Sequence, residues 1–355
     1  MNRTPCISRR RFLAGSLAGA AAGLAAPSRF AAHAALLADD PTQNGNARSV
    51  AANDGQALVA ITLDLEMSRN FPTWDQTHWD YERGNLDADT KRYAVEAARR
   101  VKAKGGRIHF FVVGRVFEQE SVDWLREIVA EGHAIGNHTY DHVNVTATRP
   151  EDIQFRFRRA PWLIEGKQPD EVIAQNIRLT NQALKARIGV DAAGFRTPGG
   201  FNAGLSDRPD VQKMLLDLGF QWVSSKYPAH PLGKPGAEPT ADVLEGIVKA
   251  QELAQPFVYP TGLVEIPMSP VSDITAFRAG RWKLEPFLAA IRLGVEWAIQ
   301  HRAAFDFLGH PSCLLATDPE FRTVELICDL VRAAGPRAAM VDLATFAQRA
   351  RLRRA

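Results

Sequence analysis

The chain has 355 residues, of which 46% are hydrophobic and 23% are charged, a composition typical of a globular protein with a sizeable core. Its formal net charge is +3, but the first 34 residues hold five arginines and no acidic residue, so the remainder carries about −2. This balance gives no electrostatic basis for nucleic-acid binding.

Residues 1–34 have the composition of an export signal. A basic segment, Ser8–Leu13, precedes an Ala/Gly/Leu run that ends at Ala26, and small residues flank His33. The paired arginines before Phe12 and Leu13 resemble a twin-arginine signal, which exports folded proteins. The apolar run is shorter than the roughly 20 residues that a membrane span needs. We expect export to the periplasm or beyond, no membrane span after cleavage of the signal, and a flexible linker over residues 35–55. The alternative is that residues 1–34 are an uncleaved anchor or a disordered basic start.

From residue 57 onward, strand-like and helix-like segments alternate. The apolar run 57–65 predicts a strand, and the amphipathic stretch 169–188 predicts a helix. The alternation repeats about seven times at βα spacing, which demands a parallel sheet covered by helices. We therefore expect one α/β domain over residues 56–350, a closed or nearly closed barrel with its chemistry at the carboxyl ends of the strands. The predicted strands are 57–65, 107–113, 133–137, 192–196, 220–225, 263–267, 304–309 and 339–341, and the predicted helices are 87–104, 118–131, 169–188, 211–218, 285–301, 319–334 and 343–350.

Two acidic residues, Asp64 and Glu66, end the first predicted strand. Period-two alternation puts both on one face, where carboxylates are costly unless they are paired or bound to a metal. One carboxylate with two imidazoles leaves a coordination position for water, which is the pattern of a catalytic metal site. The other acid can then take a proton from that water. The alternative is a strand that runs out to solvent with ordinary surface acids.

A histidine pair, His138 and His142, follows the third predicted strand. A spacing of four residues places both imidazoles on one side of a helical turn, close enough to bind a single cation. Imidazole suits zinc and its neighbours, so the expected cofactor is a divalent metal, zinc first. Asp141, which lies between the histidines, is either a hydrogen-bond partner of a ligand or an exposed turn residue.

Two later strand ends carry further polar residues. Arg196 can hold a carboxylate in a bidentate grip and keep it ionised. Pro198 and Gly199 follow it in a turn that lets a ligand approach the backbone. His310 follows the strand 304–309, where a histidine can protonate a leaving amine, although a structural role is the alternative.

Aromatic residues supply candidate substrate contacts. Trp74, Trp79 and Tyr81 lie in the loop 67–86, and their flat faces could stack on a sugar ring. The alternative is that these aromatics pin the loop to the barrel. Trp222 is interpreted as a pocket wall, with core packing as the alternative.

Five other residues are interpreted as structural. His109, His133 and Glu265 lie in or beside predicted strands and have no companion that suggests chemistry. Cys313 and Cys328 are predicted to be separate buried thiols, although an oxidising compartment would permit a bridge between them.

Taken together, these motifs resemble the polysaccharide deacetylase family, also called carbohydrate esterase family 4 or the NodB-like domain. The order agrees over residues 57–345: an acidic motif at the first strand, H-[S/T]-x-x-H, R-x-P-x-G, an aromatic strand motif and a late His-Pro. The most specific match is His138–His142 within Gly-Asn-His-Thr. The first motif departs from the family, because Asp64-Leu65-Glu66 stands where two adjacent aspartates and a glycine are usual; it is similar to a variant found in some peptidoglycan deacetylase-like members.

The resemblance implies a deformed (β/α)7 barrel, a divalent metal that is often zinc, and hydrolysis of acetyl groups. The expected substrate and partner is an acetylated envelope or extracellular polysaccharide, with N-acetyl groups first. Which of the two strand-end acids binds the metal stays open, although Glu66 is favoured. Carried over residue by residue, the implied roles are metal ligands for Glu66, His138 and His142, a base for Asp64, a clamp on that base for Arg196, and a general acid for His310.

Two alternatives come from other classes. Relatives with this barrel hydrolyse allantoin or cyclic imides, sometimes without a metal, so the chain could be a C–N hydrolase acting on a small cyclic amide. It could also be a catalytically silent glycan-binding protein of the cell envelope.

Overall fold

The computed structural model describes residues 55–67 and 83–353. The predicted export signal, the predicted linker up to residue 54, and the loop residues Trp74, Trp79 and Tyr81 lie outside these ranges. Among the helices within them, none is both long enough and apolar enough to cross a membrane.

The strands of the described residues are β1 (Ala57–Leu65), β2 (Ile108–Val112), β3 (Ala134–Asn137), β4 (Phe195–Phe201), β5 (Trp222–Lys226), β6 (Phe257–Val258), β7 (Val264–Glu265), β8 (Ala304–Gly309) and β9 (Ala338–Met340). Seven of them are parallel and form one curled sheet in the order β7-β5-β4-β3-β2-β1-β8. Strand β6 pairs antiparallel with β7, and β9 pairs parallel with the first residues of β1.

The two edges of this sheet approach each other after β7. There Ser269 N–H donates to the Asp306 carbonyl of β8 over 2.9 Å, and Asp306 N–H donates to the Ser269 hydroxyl over 2.9 Å. Hydrogen bonds of a loop residue thus replace a regular strand pair at this seam. The predicted α/β class, the single domain and the deformed seven-stranded barrel are confirmed.

Helices connect the strands and cover the outside of the sheet. The predicted helix 169–188 has the bounds expected, because Pro169 at its first position and Gly189 in the left-handed region mark its ends. Four helices of the described residues were not predicted and lie between the predicted elements: Pro150–Ile153, Phe155–Arg159, Ala241–Ala250 and Pro311–Thr317. The helices are α1 (Ala88–Ala103), α2 (Asp123–Ala130), α3 (Pro150–Ile153), α4 (Phe155–Arg159), α5 (Pro169–Ile188), α6 (Pro209–Asp217), α7 (Ala241–Ala250), α8 (Leu284–His301), α9 (Pro311–Thr317), α10 (Arg322–Ala334) and α11 (Leu343–Leu352).

Strand β1 presents different chemistry on its two faces. Its odd-numbered residues, Ala57 to Leu65, join the core between the sheet and the outer helices. Its even-numbered residues face the barrel interior, where Leu58 and Ala60 are apolar and Thr62 and Asp64 are polar. The interior therefore changes from apolar to polar toward the carboxyl end of the strand, where barrels of this kind carry their chemistry.

Trp222 belongs to the apolar part of this interior. It is the first residue of β5, only 6% exposed, and it packs with Leu58 and Ala60 and edge-on against the Phe111 ring. The structure therefore places Trp222 in the core, at the opposite end of the strand from the polar residues. Its predicted role as a pocket wall is wrong for this reason, and the alternative interpretation, core packing, is confirmed.

Gly194 provides a stability test of this core. Its φ is +139°, and a Cβ added there would overlap the Trp222 indole. We expect Gly194→Ala to lower the free energy of unfolding by about 1–3 kcal/mol through overpacking, measured by denaturant unfolding. Gly105→Ala is the control, since its φ is +79° but nothing lies within 4 Å; it should cost only the backbone term of about 1 kcal/mol. Equal losses in the two variants would argue against a packing effect at Trp222.

The residues interpreted as structural are confirmed in that role. His133 accepts from Ile108 N–H over 2.9 Å and contacts the Ala98 carbonyl at 3.0 Å. His109 is buried against aromatic rings, and this burial lowers its pKa to about 3. Glu265 accepts hydrogen bonds from Ser225, Lys226 and Tyr259, which tie β5 to β7. Cys313 and Cys328 are both buried free thiols, as predicted.

Candidate functional site

Glu66, His138 and His142 form a compact cluster at the carboxyl ends of β1 and β3. The Nε2 atoms of His142 and His138 lie 2.8 and 3.3 Å from Glu66 Oε2, and one ligand atom from each of the three lies within 4.8 Å of the others. One carboxylate and two imidazoles are a donor set that suits zinc with a position left for water. The sequence-based expectation that these residues meet is confirmed, and the set fits a divalent metal.

The electrostatics of the cluster favour metal binding at neutral pH. Burial opposes the negative charge of Glu66, but Arg83 and the two histidines outweigh it and hold the pKa of Glu66 well below its usual value. Burial, with repulsion by Arg83, lowers the pKa of His142 to about 4. An anionic carboxylate and a neutral imidazole are the protonation states that a metal requires.

The histidine pair does not lie on a helical turn, which corrects the prediction. Thr139 and His142 both have φ of 59°, in the left-handed region, and the segment is a loop. Asn137 organises it: its Oδ1 accepts from Thr139 N–H at 2.8 Å, while its Nδ2 donates to the Ile177 carbonyl at 2.8 Å. Side-chain hydrogen bonds to the backbone thus compete with helix formation here.

His138 is oriented by a contact on its other ring nitrogen. Its Nδ1 lies 3.0 Å from the carbonyl oxygen of Arg196, an acceptor, so Nδ1 carries the hydrogen and Nε2 presents its lone pair to the cluster.

Asp141 plays neither of its predicted parts. It is buried, and its Oδ1 accepts hydrogen bonds from Arg115 at 2.7 Å and from Arg156 at 2.6 Å. These contacts stabilise the loop instead of orienting a ligating histidine.

Arg196 lies fully buried at the centre of the polar interior. Its Nη1 donates to Asp64 Oδ1 at 3.1 Å and to Thr62 Oγ1 at 2.7 Å, and its Nη2 donates to Asp306 Oδ2 at 2.7 Å. Its Cζ also lies 4.4 Å from the centroid of the Phe111 ring. The predicted contact between Arg196 and Asp64 is therefore present, but it is not the predicted bidentate grip, because Nη2 binds Asp306 instead. Arg196 engages Oδ1 of Asp64 and leaves Oδ2 for the site.

Asp306 was not singled out from the sequence. It sits in the middle of a Phe-rich strand, and burial raises its pKa to about 7 despite the opposing charge of Arg196. Its Oδ1 has no hydrogen-bond partner among the described residues. The acidic residue in an otherwise apolar strand was the available signal, since such a residue needs a partner inside the sheet.

His310 faces the cluster from the end of β8, and its partner Asp273 was missed. His310 Nε2 lies 3.9 Å from Asp64 Oδ2 and 3.8 Å from Glu66 Oε1. On the other side, Nδ1 lies 2.8 Å from Asp273 Oδ1, and the His310 backbone N–H donates to Asp273 Oδ2 at 2.6 Å. Burial opposes the charged ring, but Asp273, Glu66 and Asp64 together raise the pKa of His310 to about 9.

Asp273→Asn is expected to move the alkaline limit of activity downward. The variant loses the largest attraction that raises the pKa of His310, so the ring should lose its proton, and with it the predicted role of general acid, at lower pH. The measurement is kcat against pH for both proteins with the same metal loaded. Asp318→Asn is the control, since Asp318 is a buried acid that caps α10 through Thr323 at 2.7 Å. An alkaline limb unchanged by Asp273→Asn would remove Asp273 from control of His310.

Pro198 and Gly199 lie where β4 reaches the same end of the barrel. Pro198 is buried, whereas Gly199 is exposed with φ of +78° and no atom within 4 Å of an added Cβ. The space in front of Gly199 is open, and its contact with substrate stays a prediction.

Part of the chain is similar in sequence to known polysaccharide deacetylases. Residues 85–221 match the polysaccharide deacetylase family. A chitooligosaccharide deacetylase from Azorhizobium caulinodans is 38% identical over 56 residues, which are 16% of this chain and 26% of that protein. This chain therefore aligns with about a quarter of the length of the curated relative.

Two solved structures share the fold. A predicted polysaccharide deacetylase from Mycobacterium smegmatis superposes with a TM-score of 0.53 and 15% identity, over 87% of this chain and 96% of that one. Another from Pseudomonas aeruginosa PAO1 gives a TM-score of 0.53 and 11% identity, over 82% and 89% of the two chains. At these identities the likeness concerns the barrel architecture.

Proposed function

We propose that this chain is a member of the polysaccharide deacetylase family, whose model matches residues 85–221, and that it is a metal-dependent hydrolase that removes acetyl groups, N-acetyl first, from an envelope or extracellular polysaccharide. The observation that carries the proposal is the approach of Asp64 Oδ2 and His310 Nε2 to 3.9 Å beside the cluster of Glu66, His138 and His142. Asp64, a proton acceptor, and His310, a proton donor, thus lie on either side of the position that a water molecule or substrate bound at the cluster would occupy.

Glu66, His138 and His142 would hold the cation. When bound, a divalent cation of the zinc type polarises a carbonyl group and makes water a better nucleophile. The donor set of two nitrogens and one oxygen favours zinc over calcium or magnesium, which prefer oxygen ligands.

The residues of the chain supply the proton transfers. Asp64 is held through Oδ1 by Arg196, and its Oδ2 accepts a proton as water attacks the acetamide carbon. His310, protonated with the support of Asp273, donates a proton to the nitrogen as the C–N bond breaks. The products are acetate and a free amine on the sugar.

Metal removal tests the proposal directly. Exhaustive chelation should abolish acetate release from an N-acetylated oligosaccharide, and addition of zinc should restore it, because the three ligands lack their cation in the chelated protein. The measurements are enzymatic detection of acetate and metal content by mass spectrometry. Activity that survives with less than one-tenth of the metal bound would exclude a metal-dependent reaction.

The same assay separates the alternative functions. Ring opening of allantoin or a cyclic imide without acetate release would favour the small-amide hydrolase. Sugar binding with no turnover by the zinc-loaded protein would favour the silent glycan-binding protein.

We also propose that residues 1–34 export the protein. The support is the basic, apolar and small-residue order of that segment. Mass spectrometry of the exported protein should find its amino terminus close to residue 35, and an intact terminus at Met1 would contradict cleavage.

A further inference from the structure

Glu66 divides its two carboxylate oxygens between different partners. Its Oε2 lies 2.8 Å from His142 Nε2 and 3.3 Å from His138 Nε2, whereas its Oε1 forms an ion pair with the Arg83 guanidinium. The side chains of Arg83 and Glu66 are only 13% and 7% exposed, so solvent and salt weaken this pair less than they weaken a surface pair. One oxygen of Glu66 therefore faces the histidines, and Arg83 occupies the other.

The backbone beside Arg83 is fixed to the end of β1. Gly84 N–H donates to the Glu66 carbonyl oxygen over 2.8 Å, and the Gly84 carbonyl oxygen accepts from Gln119 Nε2 over 3.0 Å. Gly84 has φ of +84°, and a Cβ added there would overlap the Arg115 side chain, so the chain is closely packed at this point. Hydrogen bonds and packing of its neighbour thus hold Arg83 where its side chain meets Glu66.

The other cationic side chain near Oε1 is too far away to replace Arg83. His310 Nε2 lies 3.8 Å from Glu66 Oε1, beyond hydrogen-bond distance. A guanidinium holds a carboxylate oxygen by charge-assisted hydrogen bonds, which are roughly twice as strong as those between neutral groups. The contact with Arg83 is therefore the interaction that keeps Oε1 turned away from the histidine pair.

The number of carboxylate oxygens that face the cluster matters for its chemistry. A carboxylate can bind a cation through one oxygen or through both. With two imidazoles, binding through one oxygen leaves a fourth position open for water or substrate, as catalytic zinc sites require. Binding through both oxygens of Glu66 would crowd that position. Because Arg83 engages Oε1, it opposes binding through both.

We propose that Arg83 is a positioning residue that restricts Glu66 to single-oxygen coordination, through Oε2, and thereby keeps a coordination position open for the substrate. The inference rests on the proposed function for the identity of the ligands and adds a further residue to that site. Arg83 acts through Glu66 and does not ligate, so its replacement should change the coordination by Glu66 while all three ligands remain.

Crystal structures of the zinc-loaded protein and two variants test the coordination directly. Arg83→Gln removes the cation and keeps polar atoms, and Arg83→Met removes it and keeps the length of the apolar stem, so one of them can replace the other if it fails to fold. In both variants we expect Oε1 and Oε2 of Glu66 to bind zinc, at about 2.0–2.2 Å for the nearer oxygen. In the parent protein only Oε2 should do so. Zinc content is measured by mass spectrometry and should stay at one per chain.

A small zinc ligand tests the open position without turnover. Acetohydroxamate resembles the acetamide group and binds zinc through its oxygens, and its affinity for each zinc-loaded protein is measured by calorimetry. Arg83→Gln and Arg83→Met should bind it on the order of tenfold more weakly than the parent protein, the range for loss of a group that orients a ligand. Arg83→Lys restores a cation beside Oε1 and should recover part of this affinity.

Arg100→Gln is the matched control. Arg100 is a partly buried arginine that pairs with Glu325 at 2.6 Å between α1 and α10, away from the cluster. This substitution removes the same type of charge from a carboxylate that is not a ligand. It should therefore leave zinc content, coordination and acetohydroxamate affinity unchanged.

The outcomes separate the inference from the proposed function. Oε1 that stays away from zinc in both variants, unchanged acetohydroxamate affinity, or loss of zinc from the folded variants would overturn the inference, even if acetate is released. Tighter zinc binding with unchanged coordination would also overturn it, since this result is expected if Arg83 only repels a cation. The expected change in coordination would support the inference, and absence of acetate release from every glycan would then count against the deacetylase reaction alone.

Discussion

Replacing Asp64 by asparagine is expected to lower kcat by about 10²–10⁴-fold, the range for loss of a general base. The amide keeps an oxygen that can accept from Arg196, so the buried contact at Oδ1 survives, but it cannot take a proton from water. Arg196 also keeps its partner Asp306 at 2.7 Å, which limits the effect on folding. Acetate release measures kcat, and thermal unfolding checks that the variant is folded.

Metal content decides the role of Asp64. Because Glu66 rather than Asp64 completes the cluster with the histidines, Asp64→Asn should retain its metal. Asp329→Asn, a surface substitution that removes a pair with Lys104, should change neither property. Loss of metal from Asp64→Asn with normal folding would mean that the two strand-end acids exchange roles.

Replacing Glu66 by glutamine is expected to weaken metal binding on the order of 100-fold or more, since even indirect contacts to ligands contribute 10–100-fold. The Oε2 atom of Glu66 lies closest to both histidines, and a neutral amide is a poor substitute for an anionic ligand. Activity should fall in parallel at limiting zinc. Competition with a chromogenic chelator gives the affinity.

A control separates charge at the cluster from charge elsewhere. Glu296→Gln removes an exposed carboxylate of α8 and should leave the zinc affinity unchanged. Partial recovery of the Glu66→Gln activity at high zinc would agree with weakened binding. Full zinc occupancy together with loss of activity would show that Glu66 acts in proton transfer instead.

Local patterns predict much of the fold and most of the candidate site. The bounds of β1, α5 and β8 agree with expectation because each has a strong hydrophobic period and clear end signals. The cluster residues were recognisable because each follows a predicted strand, and parallel strands bring their carboxyl ends together. Residues that follow different strands in the sequence therefore lie close together in the fold.

What the sequence leaves unpredicted depends on contacts between distant segments. Asp273 and His310 are 37 residues apart, and Asp273 follows a proline-containing stretch without a clear period. A four-residue spacing of histidines fits a helical turn and a loop equally well, and the hydrogen bonds of Asn137 select the loop. No sequence motif marks Arg83, because its ion pair with Glu66 forms only when the chain returns to the end of β1.

The burial of Arg196 has a consequence for how dissolved salt should act on this protein. Its contact with Asp64 is closed to solvent, with side-chain exposures of 1% and 5%. Counterions cannot enter such a space, so added sodium chloride should leave turnover at saturating substrate almost unchanged. Ion pairs at the surface, such as Arg292 with Glu296, are open to counterions, so their contribution to the free energy of unfolding should fall as ionic strength rises. Salt titrations of kcat and of the free energy of unfolding would therefore separate the shielded contact of Arg196 with Asp64 from the screened ion pairs of the surface.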